Sequence, residues 1–405
     1  MVQHSKGGSR VARRVAAAAV LALGAYAASQ SFAVAVRQPA TNLALRLAPN
    51  NAAILALQAE QIANGTASPA QWDQAAQLAR RALRRDPLQP SAAVTLGIVA
   101  GLHKHTQASQ RAFTYSLEIS RRNLKAHLWA IEYAVEQGRI PEALRHYDAA
   151  LRTSKQAPEI LFPVLANAVA SDDVRDALLP VMLKRPVWAL PFSNFVAISA
   201  SDPRSAPLLL GDLRSRGFML PVGAEASMLG ALASRKSYAV ARDYLSKVYP
   251  QFSSRDVRYP SFAGNPPTPS PFDWNLQNDD GLNSDIQRDK AGGTLSFTAV
   301  GGASGPLLRQ LLLLPPGIYE IGSRLKRLDP SEASLSWLVQ CVDGTELARL
   351  PVKQSDKLIL PNGKFAVRSD CPAQLLTLAV NPSDSPTEVS GEMAMVKIRT
   401  LAPNY

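Results

Sequence analysis

The chain has 405 residues, 46 % of them hydrophobic, which excludes a disordered polymer and leaves room for two or three cores. Its net charge of +12 is uneven: 27 Lys and Arg face 17 Asp and Glu from Arg37 to Arg258, against 13 and 15 from Tyr259 onward. Two cysteines are too few for a cysteine-based zinc site. The imbalance points to two units with different partners, or to basic residues that only solvate helix faces.

At the N-terminus, Lys6, Arg10, Arg13 and Arg14 precede an apolar run from Val15 to Val36. Such a run is about the 20 residues a bilayer-spanning helix needs, and the preceding positive charges orient the N-terminus to the cytoplasm. The span over residues 15–36 is expected to be an uncleaved anchor, because it exceeds a usual signal core. The alternative is a cleaved signal peptide, for which Ala25-Tyr26-Ala27 and Ala33-Val34-Ala35 have the small-x-small form. Either way the remainder is exported, away from nucleic acid.

A 34-residue period follows. Ala75, Ser109 and Ala143 lie on one line, Ala79, Phe113 and Tyr147 on a second, and Ala82, Ser116 and Ala150 on a third. Leu83, Leu117 and Leu151 repeat likewise, as do Ala100, Ala134 and Ala168. Small residues suit close helix crossings, so the period predicts stacked helical hairpins over about 51–63, 70–85, 90–103, 107–120, 124–137 and 141–153. Pro87 stops one helix, and Gly138 and Pro141 separate two others.

These residues resemble the tetratricopeptide repeat family over residues 70–152. Ala75, Ala79 and Ala82 match its small positions in the second helix, Gly97 the small residue of the first, and Pro87 the terminal proline. Arg121 and Lys155 stand where proline is usual, and Ala93, His127 and Leu161 where an early tryptophan is usual. The resemblance implies a right-handed superhelix with a concave groove for a protein partner, and nothing about catalysis.

Residues 157–216 still look helical, with breaks at Pro163, Pro180, Pro186, Pro191, Pro203 and Pro207, and 224–248 read as a degenerate hairpin. Tyr259 to Pro271 reads as a stiff proline-rich linker. Beyond it the period becomes two. Thr294–Val300, Gly317–Leu325, Leu335–Val342, Phe365–Arg368, Leu375–Val380 and Glu392–Ile398 are strand-like, which predicts an antiparallel β-sandwich. The expected organisation is 1–36 cytoplasmic tail and anchor, 37–156 repeats of an α-solenoid, 157–258 capping helices, 259–271 linker and 272–405 sandwich. Cys341 and Cys371 form a disulfide in an oxidising space or remain two buried thiols.

Chemistry is sparse. Gly301-Gly302-Ala303-Ser304-Gly305 opens no helix and carries no phosphate-binding lysine, and no Gly-x-Ser-x-Gly elbow occurs. His103 and His105 are two apart and share no helix face, with no acid beside them in sequence. Asp279, Asp280, Asp285 and Asp289 read as a self-capped turn, a calcium loop or an acid/base pair. No catalytic residue, cofactor or metal is assigned. Arg80, Arg81, Arg84 and Arg85 form a basic ridge that is a solvated face or a contact for anionic lipid or an acidic polymer. Trp274, in Phe272-Asp273-Trp274, stacks on sugar rings or covers the core.

The layout of anchor, repeats and a jelly-roll-like sandwich resembles accessory proteins of bacterial envelope polysaccharide production. That resemblance implies a non-enzymatic scaffold or binding subunit in the inner membrane, single pass, with its bulk in the periplasm. The alternative is a glycan-binding sandwich with the repeats as spacer; an envelope hydrolase ranks third.

Overall fold

A computed structural model describes residues 8–65, 68–199, 202–279, 281–290, 292–331 and 333–401. Among them fourteen helices precede ten strands arranged in two antiparallel sheets. The chain divides into two compact units, Met1–Leu161 and Phe162–Tyr405.

The first unit holds α1 (Gly8–Val36), α2 (Thr41–Leu47), α3 (Ala52–Asn64), α4 (Pro69–Arg85), α5 (Pro90–Leu102), α6 (Thr106–Ile119), α7 (Leu124–Glu136) and α8 (Ile140–Thr153). Arg13–Val36 within α1 is long and apolar enough to cross a membrane. The helix starts obey local chemistry. Asn51 accepts hydrogen bonds from the Ala53 and Ile54 amides, Ser68 and Gln71 form a capping box before α4, and Asn123 caps α7. Gly138, at φ 66°, ends the turn after α7, a conformation glycine adopts without strain.

Consecutive helices pack on one another, and the 34-residue lines explain how. Ala75, Ser109, Ala143, Ala79, Phe113, Tyr147, Ala82, Ser116 and Ala150 are all buried. The other two lines are buried only in part: Leu151 and Ala134 are inside, whereas Leu83, Leu117, Ala100 and Ala168 are half-buried. Gly97 shows how close the crossings are, since a Cβ there would meet the Phe113 ring at 2.8 Å.

A further helix, α9 (Ala157–Ala168), spans the point where the units divide. The second unit continues with α10 (Asp172–Leu183), α11 (Ala189–Ser199), α12 (Ser205–Ser215), α13 (Ala224–Ser234) and α14 (Tyr238–Val248). Pro163 and Pro180, expected to break helices, lie inside α9 and α10. An internal proline costs about 3 kcal/mol, which burial of Leu161, Phe162, Leu165, Leu178, Leu179 and Met182 offsets.

The strands are β1 (Asn275–Leu276), β2 (Leu282–Asp289), β3 (Gly292–Ala299), β4 (Gly305–Leu312), β5 (Gly317–Asp329), β6 (Leu335–Cys341), β7 (Glu346–Pro351), β8 (Leu360–Val367), β9 (Gln374–Val380) and β10 (Val389–Leu401). One sheet has the order β1-β4-β9-β6-β7 and the other β2-β3-β10-β5-β8. Both feed one core, to which the first contributes Leu308, Trp337, Val339 and Leu378 and the second Phe297, Ile321, Leu325 and Val396. The strands absent from the sequence reading have plain causes. β1, β2 and β7 are edges; β2 buries only Leu282, Ser284 and Ile286, and β4 carries Pro306 and two leucine pairs separated by Arg309-Gln310, without alternation.

Residues 259–271 are not a free spacer. Phe262 is fully buried in the sheet core, the Gly293 amide donates to Ser261 O, and the Val396 amide donates to Pro260 O. Cys341 and Cys371 are disulfide-bonded with Cα atoms 5.6 Å apart, closing a 30-residue separation. A loop of that length is worth about 3–4 kcal/mol in the chain-entropy account.

The close crossings predict that Ala82→Trp, at a site touching both α3 and α5, overfills the packing at about 1–3 kcal/mol. Gln77→Trp, on the exposed side of α4, should cost far less. Urea denaturation followed by circular dichroism separates the two; equal midpoints would show that the Ala82 crossing is not close.

Candidate functional site

The first unit presents two open grooves. One, of about 530 Å³, is lined by Asp73, Arg80, Leu96, His103, Ala108, Arg111 and Ala112 among others. The second, of about 550 Å³, is lined by Leu117, Arg121, His127, Glu142, Arg145, His146 and Ala149. One wall of each corresponds at the 34-residue interval: Ala108, Arg111 and Ala112 stand 34 residues before Glu142, Arg145 and His146, whereas the other lining residues of the two grooves are not equivalent. Each has two arginines, two histidines and one or more carboxylates on its wall.

The basic ridge is divided by this geometry. All four arginines are exposed, and none makes an ion pair among the described residues. Arg80 faces the first groove, whereas Arg81 donates to Pro49 O at 3.4 Å, toward the end of α4 where Arg84 and Arg85 follow. His103 does have an acid beside it, contrary to the sequence reading. Asp73 Oδ1 comes within 3.3 Å from α4, a contact that 30 residues of separation hid. Among the described residues no three metal-ligating side chains gather.

The second groove contains a histidine pair. His127 is buried, and its Nε2–H donates to Arg121 O at 2.9 Å. Its Nδ1 is then the acceptor for His146 Nδ1–H, 3.2 Å away, which defines both neutral tautomers. Burial lowers the His146 pKa below its ordinary 6.5; His127 and Arg145 add to the effect and Glu142 opposes it. The lowered pKa favours the uncharged form of His146, and Arg121 and Arg145 bring positive charge to the groove.

Trp274 is corrected by the structure. It is only 6 % exposed, its Nε1–H donates to Tyr259 O at 2.9 Å, and its ring lies between Phe262 and Trp337. Core aromatics lie against it and little of its ring is exposed, so it offers a sugar little stacking surface, although its edge borders a cleft with Asn275, Ile286 and Arg288. In the aspartate segment, Asp280 lies outside the described residues. Asp289 accepts from the Gly292 amide across the β2–β3 turn, and Asp285 is exposed on β2. Asn278 organises the preceding turn through the Ser284 amide and hydroxyl. Cys341 and Cys371 are buried in the sheet core, bonded to each other.

Sequence reading missed a polar cluster in the second unit. Arg258 Nη1 donates to Asp273 Oδ1 at 2.6 Å, with side chains 8 % and 4 % exposed. The guanidinium lies 4.1 Å from the Tyr249 ring centre and 4.9 Å from that of Tyr259. Ser270 donates twice to Asp273 Oδ2, and Gln310 on β4 exchanges two hydrogen bonds with the Arg258 backbone. Burial alone would lower the Arg258 pKa, but Asp273 and the two tyrosines outweigh it and raise it. Tyr249 donates to Glu225, which faces Arg214 at 3.9 Å, beside a cavity of about 320 Å³. The two cations and two anions are committed to one another, so the cluster joins α12–α14 to the sheets. No short motif announces it, because its members are scattered from 214 to 310.

Two outcomes follow. Between the folded His146 pKa and 6.5 the unfolded chain binds a proton that the folded chain refuses, so local stability falls as pH drops below 6.5. Hydrogen exchange should show the opening free energy of α7 and α8 declining from about pH 7 to about pH 5, and His146→Gln flattening that slope. Asp273→Asn leaves Arg258 buried without a charged partner and should cost about 3–5 kcal/mol. The double variant Arg258→Met/Asp273→Leu should cost less than the two single losses together, as measured by denaturant titration.

No protein-family model matches this chain, and no curated protein is similar to it, so its function is argued from this geometry.

Proposed function

We propose that the chain is a non-enzymatic, membrane-anchored scaffold or binding subunit of a cell-envelope assembly. In this reading the helices of the first unit form a tetratricopeptide-like superhelix and the two sheets a jelly-roll-like sandwich, with the bulk of the chain periplasmic. The observation that carries it is a pair of grooves of similar size whose α6 and α8 walls correspond at an interval of 34 residues, with Arg111 and Arg145 at the same place in each. Two basic grooves in series suit an extended partner with acidic groups at a matching interval. An acidic segment of a partner protein is the occupant we favour, within the polysaccharide setting that the layout resembles.

Two observations support the anchored, exported placement. Ala33, in the last turns of α1, is fully buried against Ala44, Ala48 and Ile54, and Gln30 Nε2 donates to Leu47 O at 3.3 Å. Cleavage at Ala33-Val34-Ala35 would strip both residues from that core; the Ala25-Tyr26-Ala27 site lies outside the packed turns. The Cys341–Cys371 bond suits an oxidising compartment. The glycan-binding alternative keeps little of the stacking surface expected of Trp274.

Photo-crosslinkers placed at Ala112 and Ala149 of the full chain, one in each groove, test the reading. Both should capture the same partner. Arg111→Glu with Arg145→Glu should reduce capture at least tenfold, because each charge reversal across a contact costs on the order of 1 kcal/mol or more. Capture of different proteins from the two positions, or none, would overturn the serial-groove reading.

A further inference from the structure

α1 and α2 run antiparallel, as the contacts of Ala33 with Ala44 and Ala48 and of Gln30 with Leu47 O require. The α2–α3 connection at Ala48–Asn51 therefore sits beside Gln30 and faces back along α1, toward its apolar stretch. The part of that stretch exposed on all sides, Val15–Ala28, has 14 residues. It is about 21 Å long, shorter than the roughly 30 Å hydrocarbon core. For the whole of Arg13–Val36 to serve as the span, or for the bilayer to thin around the shorter stretch, the chain packed beside its last turns must come close to the bilayer surface. The α2–α3 connection is that chain.

The alternation of helix direction brings other residues to the same rim. α3 leads away from it and α4 returns, and Arg81 Nη2 reaches Pro49 O at 3.4 Å. Arg84 and Arg85 end α4 there, and Leu88 follows in the α4–α5 turn, 70 % exposed. The end of α6 joins the rim: Tyr115 Oη donates to Pro87 O at 3.0 Å and Ser116 Oγ to Pro90 O at 3.1 Å. Arg121 and Arg122 come immediately after it and are exposed. Two carboxylates stand near these arginines in sequence: Asp86, occupied by the Leu88 amide and the Gln89 side chain, and Glu118, exposed in the last turn of α6, so the cations outnumber the anions there. An exposed leucine among unpaired arginines is the composition of a membrane-surface contact, apolar for the acyl boundary and cationic for phosphates. Arginine matches a phosphate with two donors at once.

We propose that this rim is seated on the membrane surface, with Arg84, Arg85 and Arg122 on the phosphates of anionic phospholipid headgroups and Leu88 inserted between them. The seat rests on the reading of α1 as a membrane span. It would hold the two grooves at a defined height and orientation above the bilayer.

The test uses the full chain carrying Leu88→Cys, whose thiol is the only reactive one because Cys341 and Cys371 are bonded. The cysteine is labelled with an environment-sensitive fluorophore, and the protein is reconstituted into vesicles that contain spin-labelled lipid as quencher. One set is phosphatidylcholine alone and the other phosphatidylcholine with phosphatidylglycerol. Thr106→Cys, exposed at the opposite end of the hairpins, carries the same label as a control. The expected result is quenching at position 88 in the anionic vesicles and none at 106. Adding Arg84→Gln and Arg85→Gln should lower the docked fraction about fivefold per charge. Position 88 unquenched in both vesicles, with the chain still resisting alkaline carbonate extraction, overturns the seat and leaves the span standing. Equal quenching in phosphatidylcholine alone overturns recognition of the anionic headgroup. Release of the chain by carbonate overturns the span itself, and the seat with it.

Discussion

Two helices approach only as closely as the side chains between them permit, and the first unit depends on that limit. Alanine and serine at Ala75, Ser109, Ala143, Ala82, Ser116 and Ala150, and glycine at Gly97, let successive helices meet with backbones near each other. Phe113 and Tyr147 then fill the space left at the ends of those crossings. No hairpin of this kind buries its apolar face alone, so each needs the next. The grooves follow from the same packing: each lies among three successive helices, and Arg111 and Arg145, 34 residues apart, fall in corresponding walls. Direction follows too. Helices that alternate up and down deliver every second connection to one rim, which is how arginines remote in sequence come to share a surface.

The second unit is held differently. Its apolar core is drawn from both sheets and centred on Trp337, Phe297, Ile321 and Leu378, and the helices before the sheets are joined to them by charge. Arg258 and Asp273 are almost wholly buried; Ser270 donates to the carboxylate, the Tyr249 and Tyr259 rings lie against the guanidinium, and Gln310 holds the Arg258 backbone. Such a pair adds little net stability over an apolar equivalent, but it penalises any arrangement that separates its members. It therefore acts on specificity, giving residues 259–271 one path across the sheet edge.

α1 serves two environments along one helix. Its first half presents apolar side chains all round, and its last turns carry Ala33 and Gln30 into contacts that belong to the fold. The apolar stretch and the first hairpin are thus joined by one continuous helix.

Much of this was legible in the chain itself. The 34-residue period located α4 to α8 within a few residues, because alanine at a crossing leaves a mark at a constant interval. The change to a period of two located six of the ten strands, and the charges before Val15 marked the apolar helix. Two strands show why the rest were not legible: β2, an edge paired on one side only, buries just two apolar side chains, and β4, paired on both sides, carries apolar pairs broken by Arg309-Gln310 in place of alternation. Nor were Pro163 and Pro180 readable as helical, because their local cost is outweighed by burial that composition does not show. The candidate site divides in the same way. Residue types and spacing alone determined that the chain would carry repeated helices, an apolar leading segment and a cysteine pair. Only the tertiary structure decided that Trp274 faces inward, that Asp73 meets His103, that His127 and His146 share a hydrogen bond and that Arg84 and Arg122 lie along one rim. Each of these is a contact between residues distant in sequence, and which distant residues meet is settled by packing.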